Sequence, residues 1–357
     1  MTATKVEGGP IGHPYLCDVL PTENAEQISQ TALGTTEGFL VTDEPVATRK
    51  ESSEAYRKYI TIDKGLVHFR RGKNQLLQAH DTLRGSKRPV HQSAAGWAAI
   101  ELAMMATDME QDRRMELVEK GVSCWHTAVR LYDDQYEAGV ADLVNYSNAG
   151  RTELNVAMAP LLSGIVSGEL TESIKREVFL DCIRVAKKNH EIGEEAGQAG
   201  HIGVKWDFNG FSLENLVMLS INQEFDDSHL ALVSSLRDGN GWIDPTKTHD
   251  LIFAQPEGTT LAHATPVEVK SVIQSKHLKR YRALLIGRKH LDLSQPMGYM
   301  FDALEAVGQG TADSEQLAVT KLLHERVSVL HDQYQKAKRT SSQNAVTVFH
   351  RPLAKAA

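Results

Sequence analysis

The stretch Pro266-Val267-Glu268-Val269-Lys270-Ser271-Val272-Ile273 decides how this chain is read. It is rich in β-branched residues, as strands are, and side chains along a strand alternate between two faces. Val267, Val269 and Ile273 then share one face, while Glu268 and Lys270 share the other. Asp250 stands 18 residues before Glu268 and opens Leu251-Ile252-Phe253-Ala254, a second apolar run of strand character. Neighbouring strands that bring two carboxylates together offer hard oxygen ligands, the donor type that Mg²⁺ takes. An ammonium on the face of Glu268 is placed to orient an attacking water and to offset phosphate charge.

Outward from this pair, Leu230–Val233 reads as a first strand. Arg237-Asp238-Gly239-Asn240-Gly241 reads as a turn, and Ala283–Ile286 as a further strand. Upstream, Gly210–Leu219 reads as a helix that carries Glu214. The order helix, strand, Asp strand, Glu-x-Lys strand, basic helix, strand resembles the PD-(D/E)XK nuclease superfamily, over about residues 205–295. That resemblance implies a restriction-endonuclease-like αβββαβ core with flanking helices. It also implies hydrolysis of phosphodiester bonds with Mg²⁺ or Mn²⁺. Asp250 and Glu268 map onto its metal-binding carboxylates, Lys270 onto its catalytic lysine, and Glu214 onto the further carboxylate of the preceding helix. The backbone carbonyl of Val269 would add a ligand. His249 stands where the motif's name has Pro, which is the one departure from the pattern.

From Lys270 to Lys289 the chain has seven basic residues and no Asp or Glu. Lys276, Lys279, Arg280 and Arg282 are the expected contacts to a nucleic-acid backbone, whose phosphates Lys and Arg neutralise. The net charge of −7 argues against nucleic acid only until it is divided. Residues 1–199 have 22 basic and 29 acidic residues, whereas residues 200–357 have 17 of each. The acidity thus lies in the first part of the chain, and nucleic acid, with DNA as the expected polymer, remains compatible with the second.

Residues 1–90 read as an N-terminal extension. Residues 91–200 read as a helical domain, a bundle or an array like tetratricopeptide repeats, with helices over 94–106, 113–136, 153–167 and 171–195. Residues 201–335 form the nuclease-like domain, ending in helices over 299–307 and 313–335, and residues 336–357 a basic tail. The expected class is therefore α+β or α/β, helices followed by a small sheet. Through the helical part the chain would form a homodimer or hold a protein partner.

A chain with 41% hydrophobic and 24% charged residues can bury a sizeable core. Three scattered cysteines, no apolar leader and no long apolar run point to a cytoplasmic protein without a membrane span. Other chemistries lack their motifs: G-x-x-x-x-G-K-[ST], G-x-G-x-x-G and G-x-S-x-G are all missing. His190-Glu191 opens no zinc-protease helix, because Glu194 occupies the position of the second His. Glu191, Glu194 or Glu195 is the alternative to Glu214 as extra ligand. The competing function is a non-catalytic helical-repeat adaptor or scaffold with a degenerate nuclease-like domain.

Overall fold

The central helix of the fold is apolar on every side, and the remaining elements arrange themselves around it. A computed structural model describes residues 69–106, 108–137, 143–200, 202–223, 230–233, 250–273 and 283–340. The first helices run α1 Phe69–Leu83, α2 Pro89–Met105, α3 Gln111–Glu137, α4 Leu143–Ser167 and α5 Glu172–Gln198. The central one, α6, is Ile202–Asn222. A sheet follows, of β1 Leu230–Val233, β2 Leu251–Glu257, β3 Thr260–Lys270 and β4 Leu284–Gly287. The last helices are α7 Arg288–Leu291, α8 Met297–Gln309 and α9 Ser314–Thr340. The described chain is thus mainly helical, with one small mixed sheet in its C-terminal half.

Each of α1 to α6 packs on the next, and α4 also meets α2 and α6. This successive packing is compatible with the expected helical domain. Every residue from Phe211 to Asn222 is buried, because α6 has α4 and α5 on one side and β1, β3, α8 and α9 on the others. A helix apolar all round belongs in such a position. A single cluster of buried side chains runs from Leu76 to Tyr334 through both the helices and the sheet. Cys124 and Cys182 lie within it as free thiols, and burial pushes the Cys124 thiol up to about 12.

The sheet order is β1-β2-β3-β4. β1 and β2 pair antiparallel, as do β2 and β3, whereas β3 and β4 pair parallel. A parallel pair needs a crossover of roughly a dozen residues, and residues 271–283 supply it. β2 and β3 form a hairpin through Gly258-Thr259, where Gly258 adopts φ +59°, a conformation that suits glycine. Arg114 of α3 holds this turn, donating from Nη1 to Thr259 Oγ1 at 2.8 Å and from Nη2 to the Thr259 carbonyl.

Several elements differ from the sequence reading. Strand β2 continues past Ala254 to Glu257, with a bulge between Phe253 and Gln255, because Gln255, Pro256 and Glu257 pair with Ala262, Leu261 and Thr260. Strand β3 starts earlier for the same reason and stops at Lys270, leaving Val272 61% exposed. Helix α4 starts ten residues before the expected Glu153, at Leu143. The expected turn at 237–241, the basic helix after β3 and residues 341–357 of the expected tail lie outside the described residues, whereas 336–340, expected as tail, continue α9 to Thr340. The end signals of other helices act as read. Thr171 caps α5 by accepting from the Ile174 N–H at 3.3 Å, and Asp313 and Gln316 exchange bonds of 2.8 and 3.0 Å at the start of α9.

Helices α2 and α3 cross at two glycines. A Cβ on Gly121 would lie 2.8 Å from the Gly96 carbonyl oxygen, and one on Gly96 would lie 2.4 Å from the Trp125 ring. Backbone cannot retreat from such an approach as a side-chain tip can. Gly121→Ala is expected to lower unfolding free energy by about 1–3 kcal/mol, measured by urea denaturation. Ala at Gly210, whose Cβ would meet nothing within 4 Å, is the matched control.

Candidate active site

Asp250 lies just before β2, at the end where β2 pairs with β3. Its own N–H donates to the Val267 carbonyl at 3.0 Å, which starts the ladder. Its side chain extends that ladder by one rung, because Oδ2 accepts the Val269 N–H at 2.8 Å. A strand residue sends its N–H and C=O to the same side, so the Val269 carbonyl is directed towards Asp250 as well.

Alternation along β3 sends Glu268 and Lys270 to the face opposite Val267 and Val269. Lys270 Nζ lies 2.7 Å from Asp250 Oδ2 and 2.6 Å from Glu268 Oε2. Both carboxylates therefore touch one nitrogen and lie within two hydrogen-bond lengths of each other. Glu268 is almost wholly buried, whereas the Lys270 side chain is 25% exposed. Burial alone would lower the Lys270 ammonium, but Asp250 and Glu268 outweigh it and hold this lysine above its ordinary range.

Glu214, on α6, lies where the charges of Asp250 and Lys270 act on its carboxyl. It is the one charged side chain between Phe208 and Asn222, set in a helix that is buried all round. Burial pushes its carboxyl from 4.5 up to about 8. The Arg151 guanidinium opposes that rise, while the charge of Asp250 adds to it and that of Lys270 subtracts. Glu214 Oε2 accepts an ion-paired hydrogen bond from Arg151 Nη2, and the guanidinium lies 5.1 Å from the centre of the Phe211 ring.

Asp250, Glu268 and Lys270 are thus brought together, with the Val269 N–H beside them, while Glu214 meets Arg151. Lys276, Lys279, Arg280, Arg282 and His249 lie outside the described residues. The alternative carboxylate Glu194 pairs instead with Lys205, at 3.3 Å. His190 sits against Phe301 and within 3.3 Å of Ser212 Oγ, and burial lowers its pKa. His324 donates to the Ser220 carbonyl at 2.7 Å, and His331 lies 3.2 Å from Thr265 Oγ1; both join α9 to the elements beneath it.

Sequence reasoning missed Arg151. It belongs to the first turns of α4, in Asn148-Ala149-Gly150-Arg151, which resembles a loop. Gly150 was the available signal. A Cβ there would lie 2.6 Å from Asn189 Oδ1 and 2.7 Å from Phe211 Cε1, so glycine lets α4 press against α5 and α6 and brings Arg151 to Glu214.

The carboxylates of Asp250, Glu268 and Glu214 are hard oxygen donors, the type that Mg²⁺ takes. Among the described residues no group of three or more His, Cys, Asp or Glu side chains stands ready-made to hold a metal ion. No protein-family model matches the chain, and no curated protein or solved structure matches it. No helix among the described residues is long and apolar enough to cross a membrane.

The raised Glu214 carboxyl makes folding pH-dependent. The folded state holds this proton more tightly than the unfolded chain, so its stabilising contribution is complete below about pH 4.5 and is lost as pH rises through about 8. Glu214→Gln keeps the shape and does not titrate. The wild type is expected to lose on the order of a few kcal/mol relative to Glu214→Gln between these limits, measured as unfolding free energies across the range. Parallel curves for the two proteins would contradict this account.

Proposed function

We propose that the chain is a metal-dependent nuclease that hydrolyses phosphodiester bonds of nucleic acid, with DNA as the polymer. The observation that carries this reading is the contact of Lys270 Nζ with both Asp250 and Glu268. An ordinary exposed hairpin has no reason to bury a glutamate beside a second carboxylate and then bridge the two with one lysine. Burying such charges costs stability unless they are well paired, so their place in a fold is more readily explained by chemistry than by strength. The αβββ order of α6 and β1–β3, with β4 parallel to β3, agrees with the restriction-endonuclease-like core implied by the sequence, and we assign the chain to that fold as part of the proposal.

Asp250, Glu268 and Glu214, with the Val269 carbonyl, would hold Mg²⁺ or Mn²⁺. When bound, the cation supplies a Lewis acid for the phosphoryl oxygen and makes water a better nucleophile at neutral pH. Asp250, anchored by the Val269 N–H, and Glu268, fixed in the sheet, keep their carboxylates in place without reorganisation. Lys270 then turns from bridging them to orienting water and stabilising charge on the phosphate. The backbone contacts come from the basic stretch after β3. Its last members, Arg288 and Lys289, are exposed and directly follow Gly287, which pairs in register with Lys270. Helices α4 and α5 close α6 from the other side, and the helical part of the chain would serve a second copy or a protein partner.

The test is cleavage of supercoiled plasmid, single-stranded DNA and RNA with Mg²⁺ or Mn²⁺. Metal-dependent cutting by the wild type is expected, and Lys270→Ala should lower it by about 100-fold or more. Circular dichroism would establish that the variant is folded. Absence of metal-dependent cutting, or equal cutting by the folded variant, would return the chain to the adaptor reading.

A further inference from the structure

Helix α1 turns one face towards α2. Leu76, Ala79 and Leu83 lie on that face at helical spacing, and all three are buried. His80 stands in the middle of the stripe and is 1% exposed. Its Nδ1 lies 3.0 Å from the Ala95 carbonyl oxygen of α2. A carbonyl oxygen accepts and never donates, so Nδ1 carries the hydrogen and Nε2 is the bare nitrogen. Nε2 is buried and has no hydrogen-bond partner among the described residues. A proton arriving at this ring takes Nε2, which puts a charge and an unmatched donor into an apolar contact.

We infer that His80 is an acid-sensitive latch: its neutral ring holds α1 on α2, and a proton on Nε2 releases α1 while the remaining helices stay packed. The latch does not depend on the nuclease reading. Helix α1 is suited to such release because, among the described residues, α2 is the element against which it chiefly packs, whereas α2 to α6 each have several neighbours. The corner between the two helices holds a second buried imidazole. His91 Nδ1 lies 2.9 Å from Ser86 Oγ, and Gln92 Nε2 donates to the Arg84 and Ser86 carbonyls at 2.5 and 2.8 Å. Among the charges that act here, Asp81 of α1 favours a proton on His80, while Arg84 beside it and Lys120 of α3 oppose one. Arg88, at the start of α2, opposes a proton on His91. Burial is the largest influence on both rings; it lowers His80, and it takes His91 down to about 4. Once undocked, His80 returns to its ordinary value of 6.5. Docking is therefore at full strength above 6.5 and is lost as pH falls below it, with His91 extending the loss towards about 4. Release uncovers Leu76, Ala79 and Leu83 together with the α2 surface around Ala95, so the acid form presents an apolar face that the neutral form conceals.

The test is amide hydrogen exchange on the full chain, read as protection factors for residues 74–83 of α1, with 202–222 of α6 as the reference. In the wild type, α1 protection is expected to fall at least about tenfold between roughly pH 7.5 and roughly pH 5.5, because each unit between the ordinary and the lowered value is a factor of ten. Protection of α6 should hold, since the opening is local. His80→Asn keeps a donor near the place of Nδ1 and does not titrate, so its loss should be about tenfold smaller than that of the wild type. His80→Gln is run beside it, so that a folded, non-titrating chain is compared even where one replacement fails to fold. An equal loss in the wild type and a folded variant would overturn the inference. Unchanged α1 protection in the wild type would do so too, and so would a loss that α6 shares, because that is acid unfolding of the whole chain.

Discussion

Lys270 Nζ lies within 2.7 Å of both Asp250 and Glu268, and a charge cluster this deep constrains everything near it. Glu268 has little access to water, so it requires a cation at close range. That cation reaches it only if β3 runs straight through Lys270, so that residues two apart share a face. It also requires Asp250 to stop at the end of β2, where its side chain takes the Val269 N–H in place of a further strand residue. The hairpin turn at Gly258-Thr259, clamped by Arg114, fixes the register that brings these ends together.

The same constraint explains the buried central helix. Glu214 is the lone charge in the buried 211–222 part of α6, and burial raises its carboxyl to about 8. Such a residue weakens a helix that is otherwise built to be core. Arg151 of α4 is its counterion. The site is thus a set of charges inserted into the core where sheet and bundle meet, rather than a groove added to a finished surface.

Much of this was legible in the sequence because period and spacing carry it. The apolar run at Leu230–Val233 is the strand seen, and Thr171 and Asp313 act as the caps their spacing implies. Asp250, Glu268 and Lys270 could be placed together because alternation along a strand leaves few choices. What could not be read depends on packing. Gln255-Pro256-Glu257 looks like a break, but the hairpin extends through it because a partner strand completes its pairing. Asn148-Ala149-Gly150-Arg151 looks like a loop and is helix, because the weak propensity of these residues is overridden where α4 meets α5 and α6. The part played by Arg151 is invisible without that contact, since no local pattern links it to Glu214.

The last residue of the central helix has a consequence of its own. Asn222 donates from Nδ2 to the Ala231 carbonyl at 2.9 Å and accepts the Ala231 N–H on Oδ1 at 2.8 Å. Its amide thus presents to β1 what the backbone of another strand would present. β1 is the outermost strand on its side of the sheet, and an outermost strand with unmet backbone groups invites pairing with a strand from another molecule. A single side chain fills that place at Ala231. At Ala231, among the described residues, a helix-end amide thus does what a further strand's backbone would do, and leaves no rung there for another molecule.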